Sequence, residues 1–357
     1  MFCIRCTIVF AASVLLAQVP KEVIVTAGRA GIVEIIEPST LETLARIHFK
    51  FPDGNVGLDR VSVSMDGAKL YVEGPIPSDP RGCCVLYSVD LASLQTSIAA
   101  SVFGSTSRQQ FVFSDGLVFP ASSIFAGGLV KVMNDSLLHL SPDGHWLFGV
   151  RSYPTPALEV FDRTLGAFVR EMTPADSESD GGVSGTWDGD HFYLYARSKS
   201  GQSRIWNVLP DTEQLGGGVA VKQLGQIPGC ASNSDKDIVA AGNRVFLYER
   251  FGFIGDRRII CNAPVPGGAW IVDPATGRPA KHIASDAQFS TLIADQRRSF
   301  LYGWASEGRY GDGPARLLRI DARNGRIVKS RVVESGFLRM AIAPLRFVPT
   351  GDVSVVQ

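Results

Sequence analysis

Ten cations crowd five stretches of this 357-residue sequence, and nine of the ten are arginine. The stretches are EGPIPSDPRGCC (73–84), VRSYPTPA (150–157), ARSKSGQSR (196–204), ERFGFIGDRRIIC (249–261) and WASEGRYGDGPAR (304–316). They carry Arg81, Arg151, Arg197, Lys199, Arg204, Arg250, Arg257, Arg258, Arg309 and Arg316 against six acids. A planar guanidinium fork suits bidentate contact with an oxyanion, so the expected ligand is anionic: a carboxylate, a phosphate or an acidic sugar. Arg257 and Arg258, with Arg309 and Tyr310, are the leading candidates, joined by Arg81, Arg151, Arg197 and Arg204. Tyr153 and Trp304 offer ring faces for a sugar or an arginine stack.

Cysteine is the second chemistry-bearing type. Cys230, in the connection entering the sixth blade, and Cys261, closing that blade's long loop, are expected to form a disulfide; it would close about 31 residues, worth on the order of 3.5–4 kcal/mol by chain entropy. Adjacent Cys83 and Cys84 form either a vicinal disulfide or two thiols facing opposite ways at the start of a strand. Cys3 and Cys6 make a C-x-x-C ahead of an apolar run, where they would leave with a signal segment.

Enzyme motifs are missing. The chain has no G-x-S-x-G, no G-x-G-x-x-G after a strand, no phosphate-binding loop and no H-E-x-x-H. Its five histidines, His48, His139, His145, His191 and His282, have no second histidine at ligand spacing and read as strand or turn residues. DSESDG (176–181) opens like a calcium loop, but Trp187 stands where the closing glutamate belongs. Asn134-Asp135-Ser136 matches a glycosylation acceptor. No metal and no cofactor are expected.

The elements that position these groups repeat. VSVSMDGAKLYVEG (61–74), LHLSPDGHWLFGVRS (138–152), SGTWDGDHFYLYARS (184–198), VAAGNRVFLYER (239–250) and TLIADQRRSFLYGWAS (291–306) each place a tight turn between two β-prone runs. A second unit follows: LYSVDLASLQTSIA (86–99), LEVFDRTLGAFVREM (158–172), AWIVDPATGRPAKHI (269–283) and LLRIDARNGRIVKS (317–330), with IVEIIEPSTLETLARI (32–47) a looser copy. Two hairpins per repeat of about 48 residues predict four-stranded antiparallel blades in an all-β propeller.

Blades are expected near 21–50, 58–100, 103–135, 136–173, 183–226, 235–284 and 288–335. That makes seven, with six as the alternative if the short 103–135 segment is an insertion. The first blade lacks an inner strand and FLRMAIAPLRFVP (337–349) lacks a partner, so the C-terminal strand should complete the N-terminal blade and close the ring.

Through its S-x-D-G-x-x-L-Y-V and V-D-x-x-T-G-x segments, the chain resembles the YVTN-type and WD-repeat-like β-propellers of exported bacterial proteins over roughly residues 21–345. The resemblance implies architecture more than activity, since some such propellers are lactone hydrolases or carry quinone cofactors. In a blade running from axis to rim, the connection between the second and third strands shares one face with the blade-to-blade connection. The five long loops therefore decorate one face, opposite the short turns.

Composition excludes whole classes. With 35 Lys+Arg against 35 Asp+Glu there is no basic surplus for nucleic acid. At 45% hydrophobic residues the chain can bury a large core. Residues 1–17 pair Arg5 with an apolar run too short to span a bilayer, a secretory signal, leaving 18–357 as one exported propeller, periplasmic or extracellular, with no transmembrane segment. The reading is a binding module for a small anionic ligand or a protein partner, with a propeller enzyme or a surface-layer component as the alternatives.

Overall fold

The computed structural model describes residues 21–28, 31–50, 58, 60–64, 66–76, 79–101, 111–114, 117–120, 124–126, 129–131, 137–151, 156–165, 167–174, 183–197, 203–222, 236–249, 267–307, 314–333 and 337–356. At 60, 75–76, 79–84, 100–101, 111–114, 117–120, 124–126, 129–131, 137–138, 197, 236, 249, 307, 337–339 and 356 the backbone alone is described. These residues form strands and no helix.

The first strands are β1 (Lys21–Gly28), β2 (Ile32–Ile36) and β3 (Thr43–Lys50), followed by β4 (Arg60–Val63), β5 (Lys69–Ile76), β6 (Asp79–Asp90) and β7 (Thr96–Ser101). Next come β8 (Phe111–Ser114), β9 (Leu117–Pro120), β10 (Ile124–Ala126) and β11 (Leu129–Lys131). One blade holds β12 (Leu137–Leu140), β13 (Trp146–Arg151), β14 (Ala157–Asp162) and β15 (Ala167–Met172). The next holds β16 (Val183–Asp188), β17 (His191–Arg197), β18 (Ser203–Val208) and β19 (Val219–Val221). Another holds β20 (Lys236–Ala241), β21 (Arg244–Glu249), β22 (Ala269–Val272) and β23 (Pro279–Ile283). The last repeat holds β24 (Ala287–Ala294), β25 (Phe300–Glu307), β26 (Ala315–Asp321) and β27 (Ile327–Val332), and the chain ends with β28 (Phe337–Leu345) and β29 (Gly351–Val356).

Ring closure follows the expected route. β28 pairs antiparallel with β1, Ile24 opposite Ile342, and supplies the inner strand of the N-terminal blade. β29 was not foreseen. It adds to the outer strand β3 in parallel, Val353 opposite Ile47, giving this sheet five strands in the order β28-β1-β2-β3-β29 and covering an otherwise open edge.

Among the described residues six sheets reach four or five strands, so the structure shows six blades, the alternative count, in place of the seven expected first. The described strands within 103–135 form two two-stranded sheets, β8-β9 and β10-β11. These strands are three or four residues long and lack the acidic second turn, which leaves too few ladder bonds to knit one sheet. β8 nevertheless stands in the ring, touching β4 on one side and β12 on the other.

Local chemistry explains the repeats. In the first unit Ser64 Oγ donates to Asp66 Oδ1 (2.6 Å), and that oxygen accepts the Ala68 N–H (3.0 Å). Ser141 and Asp143 repeat the pattern, with Asp143 accepting the His145 N–H at 3.0 Å. In the second unit the acid caps its own turn: Asp90, Asp162, Asp273 and Asp321 each accept a backbone N–H two residues on. The apolar faces then pack blade on blade, for example Val23, Val25 and Ile35 against Val61, Leu70 and Val72. The inner strands are left around a common axis.

Candidate functional site

Among the described residues none fills the axis. A cavity of about 890 Å³ is lined by inner-strand residues of β4, β12, β16, β20, β24 and β28, within the size range of small-molecule sites. About half of its wall is apolar, including Val61, Leu140, Leu292, Met340 and Ile342.

One cluster of its polar groups lies where the inner strands begin. Asp237 is the second residue of β20, and Ser184 is the second residue of β16. The Ser184 hydroxyl donates to Asp237 Oδ1. That oxygen also accepts the Ile238 N–H (3.0 Å), while Oδ2 accepts the Tyr248 hydroxyl (3.1 Å). Tyr248 accepts the Leu292 N–H at 3.3 Å, and Ser184 accepts the Ile238 N–H at 3.3 Å. A backbone N–H can only donate, so both hydroxyl hydrogens are left to point at the carboxylate. The relay joins three blades.

His139 lines the same cavity from β12. Its backbone carbonyl accepts the Trp187 indole N–H (3.3 Å), and its ring packs 5.5 Å from Phe192. Nε2 is buried without a hydrogen-bond partner. Burial pushes the imidazole down to about 4, and the nearby Asp237 charge only partly opposes this. At neutral pH His139 is uncharged.

The opposite mouth, where inner strands end in short turns, is ionic. Arg298 has φ 54°, donates to the Ala240 carbonyl (3.2 Å), and lies within electrostatic reach of Asp188 and Asp295. Burial raises the Asp188 carboxyl, against the pull of Arg298 and His191. Glu22 reaches in from β1 to accept the Gln296 N–H at 2.8 Å.

Strand order places the two ends. Tyr248 is the penultimate residue of β21, so Asp237 and Tyr248 sit where a second strand finishes and an inner strand starts. That is the face of the long loops.

The residues singled out from sequence fall elsewhere or beyond view. Arg151 is committed to two carboxylates, Glu159 (3.3 Å) and Glu171 (2.9 Å), rather than presented to a ligand. Trp304 is 4% exposed and packed with Ile24, Leu317 and Met340, so its ring faces are covered by core, a correction to its expected role. Arg204 is half-buried on β18 beside Ala196 and Ala220, with Nε lacking a hydrogen-bond partner. Arg81 and Arg197 lie in β6 and β17 with backbone alone described. Cys83 and Cys84 also lie in β6, where Cys83 faces Pro75 at a register shift. Tyr153, Arg257, Arg258, Arg309, Tyr310, Cys230, Cys261, residues 176–181 and the 1–17 segment lie outside the described residues.

Three histidines have structural partners: His145 with Asp162 (3.2 Å), His191 with Asn207 (3.0 Å), and His282 stacked on Trp270 at 4.2 Å. His139 is a strand residue as expected, but its place on the cavity wall was missed. So were Ser184, Asp237 and Tyr248. The available signal was a polar residue at the second position of inner strands in consecutive repeats, inside otherwise apolar runs.

No family model matches the chain, and no curated protein matches it. Among solved structures it is similar to dihydro-heme d1 dehydrogenase NirN in complex with DHE, at 15% identity over 89% of this chain and 74% of that one, with a TM-score of 0.49. It is also similar to apo AztD from Citrobacter koseri, at 14% identity over 92% and 83% of the two chains, with a TM-score of 0.47. Likenesses this distant carry nothing about ligand or reaction. The assignment as a β-propeller rests on the sheet order and on the ring of inner strands.

Proposed function

We propose that this chain is an exported propeller that binds a small molecule in its axial cavity, entered from the long-loop face. The observation that carries the reading is the Ser184–Asp237–Tyr248 cluster at that end of the cavity, beside the apolar part of its wall. Convergent polar groups next to apolar surface orient a ligand, which is what a binding site requires. The 1–17 segment and the S-x-D-G hairpins support export and the likeness to YVTN-type repeats. The arginine-rich loops of the same face, with Arg257, Arg258 and Arg309, are candidates for a separate anion site outside the axial cavity.

A carboxylate and a histidine on one cavity wall also raise an enzymatic reading. Binding is favoured because an imidazole pushed down to about 4 is a weak base at neutral pH. The test is native mass spectrometry of protein purified from its own compartment, wild type beside Ser62→Trp. Ser62 lines the cavity, and an indole there would occupy it. A small-molecule adduct on the wild type, lost in the variant, is expected. An unliganded wild type, or an adduct indifferent to the substitution, refutes the reading.

A further inference from the structure

We infer that the long-loop half of the axial cavity recognises a primary ammonium group carried on an apolar body, with Asp237 as its counter-charge. This rests on the reading of the cavity as a ligand site.

Donors converge on Asp237, and none of them is charged. Two hydroxyls and one backbone N–H satisfy three of the roughly four lone-pair sites of the carboxylate, leaving one for a ligand. Among the described residues no lysine, arginine or histidine forms an ion pair with it. A half-buried carboxylate held without a cation is incompletely compensated, and a cationic ligand supplies the missing charge.

The charge of the wall points the same way. Arg298, the described arginine on the cavity lining, is drawn to the other mouth, where it bonds the Ala240 carbonyl and faces Asp188 and Asp295. Ala240 is three residues along β20 from Asp237, about 10 Å at strand rise. Glu73, Asp237 and Asp295 are the lining carboxylates against the single lining arginine, so the field inside favours a cation.

His139 completes the recognition. A charged imidazole would repel an ammonium, but this one is neutral, and its Nε2 is buried with no partner. That nitrogen can accept a second N–H of the ligand. A divalent metal fits less well, because no group of three His, Cys, Asp or Glu side chains converges among the described residues. The apolar wall of Val61, Leu140, Leu292, Met340 and Ile342 provides contact for a hydrocarbon body.

Isothermal titration calorimetry at pH 7.5 with three matched probes tests this: 2-phenylethylammonium, neutral 2-phenylethanol and anionic 3-phenylpropionate. The ammonium probe is expected to bind at least tenfold more tightly than either of the others. Asp237→Asn, which keeps the shape of the group and removes its charge, is expected to weaken that probe at least tenfold and leave 2-phenylethanol unchanged. Equal or tighter binding of the alcohol or the carboxylate overturns the inference, as does an Asp237→Asn variant that binds the ammonium like wild type. The three-probe comparison on wild type decides the matter even if the variant fails to fold. Failure with all three probes overturns the ammonium assignment, while the broader ligand reading fails only if the Ser62→Trp comparison fails too.

Discussion

Ser184 on the inner strand of one blade donates its hydroxyl to Asp237 on the inner strand of the next, across 53 positions of sequence. The bond is both part of the cavity wall and a clasp between blades, since Ser184 also accepts the Ile238 N–H. Ser184→Ala removes one donor from a part-buried carboxylate and leaves the Ile238 N–H with Asp237 alone. The expected cost is about 1–2 kcal/mol of unfolding free energy, read as a lower urea midpoint with an unchanged slope.

His139 gives stability a defined pH dependence. Its folded value of about 4 lies below the ordinary imidazole value of 6.5, so the unfolded chain binds the proton more readily. The contribution is fully present above about pH 6.5 and is lost as pH falls toward 4, on the order of 3 kcal/mol in all. In His139→Leu that component disappears, so the gap between wild type and variant should change across this window and stay flat above it. Parallel stability curves from pH 4 to 7 would show that His139 is not buried as described.

Gly277 separates steric from conformational effects. It has φ 65°, and a Cβ there would run into the Ala220 carbonyl oxygen of the neighbouring blade. Gly351 has a similar φ of 73° with open space around it. Gly351→Ala should cost about 1 kcal/mol from backbone conformation alone, and Gly277→Ala about 2–4 kcal/mol because the clash is added. Equal thermal shifts for the two variants would remove the steric argument.

The fifth strand of the closing blade is testable by truncation. β29 covers β3 from Ala45 to Lys50, and Val355 is 2% exposed against that sheet. A chain ending at Thr350 should melt at a lower temperature and show concentration-dependent association by light scattering, because β3 becomes a free edge. A monomeric truncation with an unchanged melting midpoint would count against that role.

Much of the architecture was legible because its determinants are local. The Ser64–Asp66–Ala68 turn and the Asp273–Ala275 turn each close within a few residues, so their signatures survive in a single sequence. The closing strand was legible by elimination, since β1 had no partner hairpin and β28 had none either. Only the tertiary structure decided the rest. Whether 111–131 could knit into one sheet depended on strand length and long-range pairing, and β29 beside β3 joins segments some 300 residues apart. Alternation along β16 and β20 shows that two faces exist, but not that one meets the next blade and the other the axis. The stacking of blades around the ring assigns those faces, and so brings Ser184, Asp237, Tyr248 and His139 to one cavity.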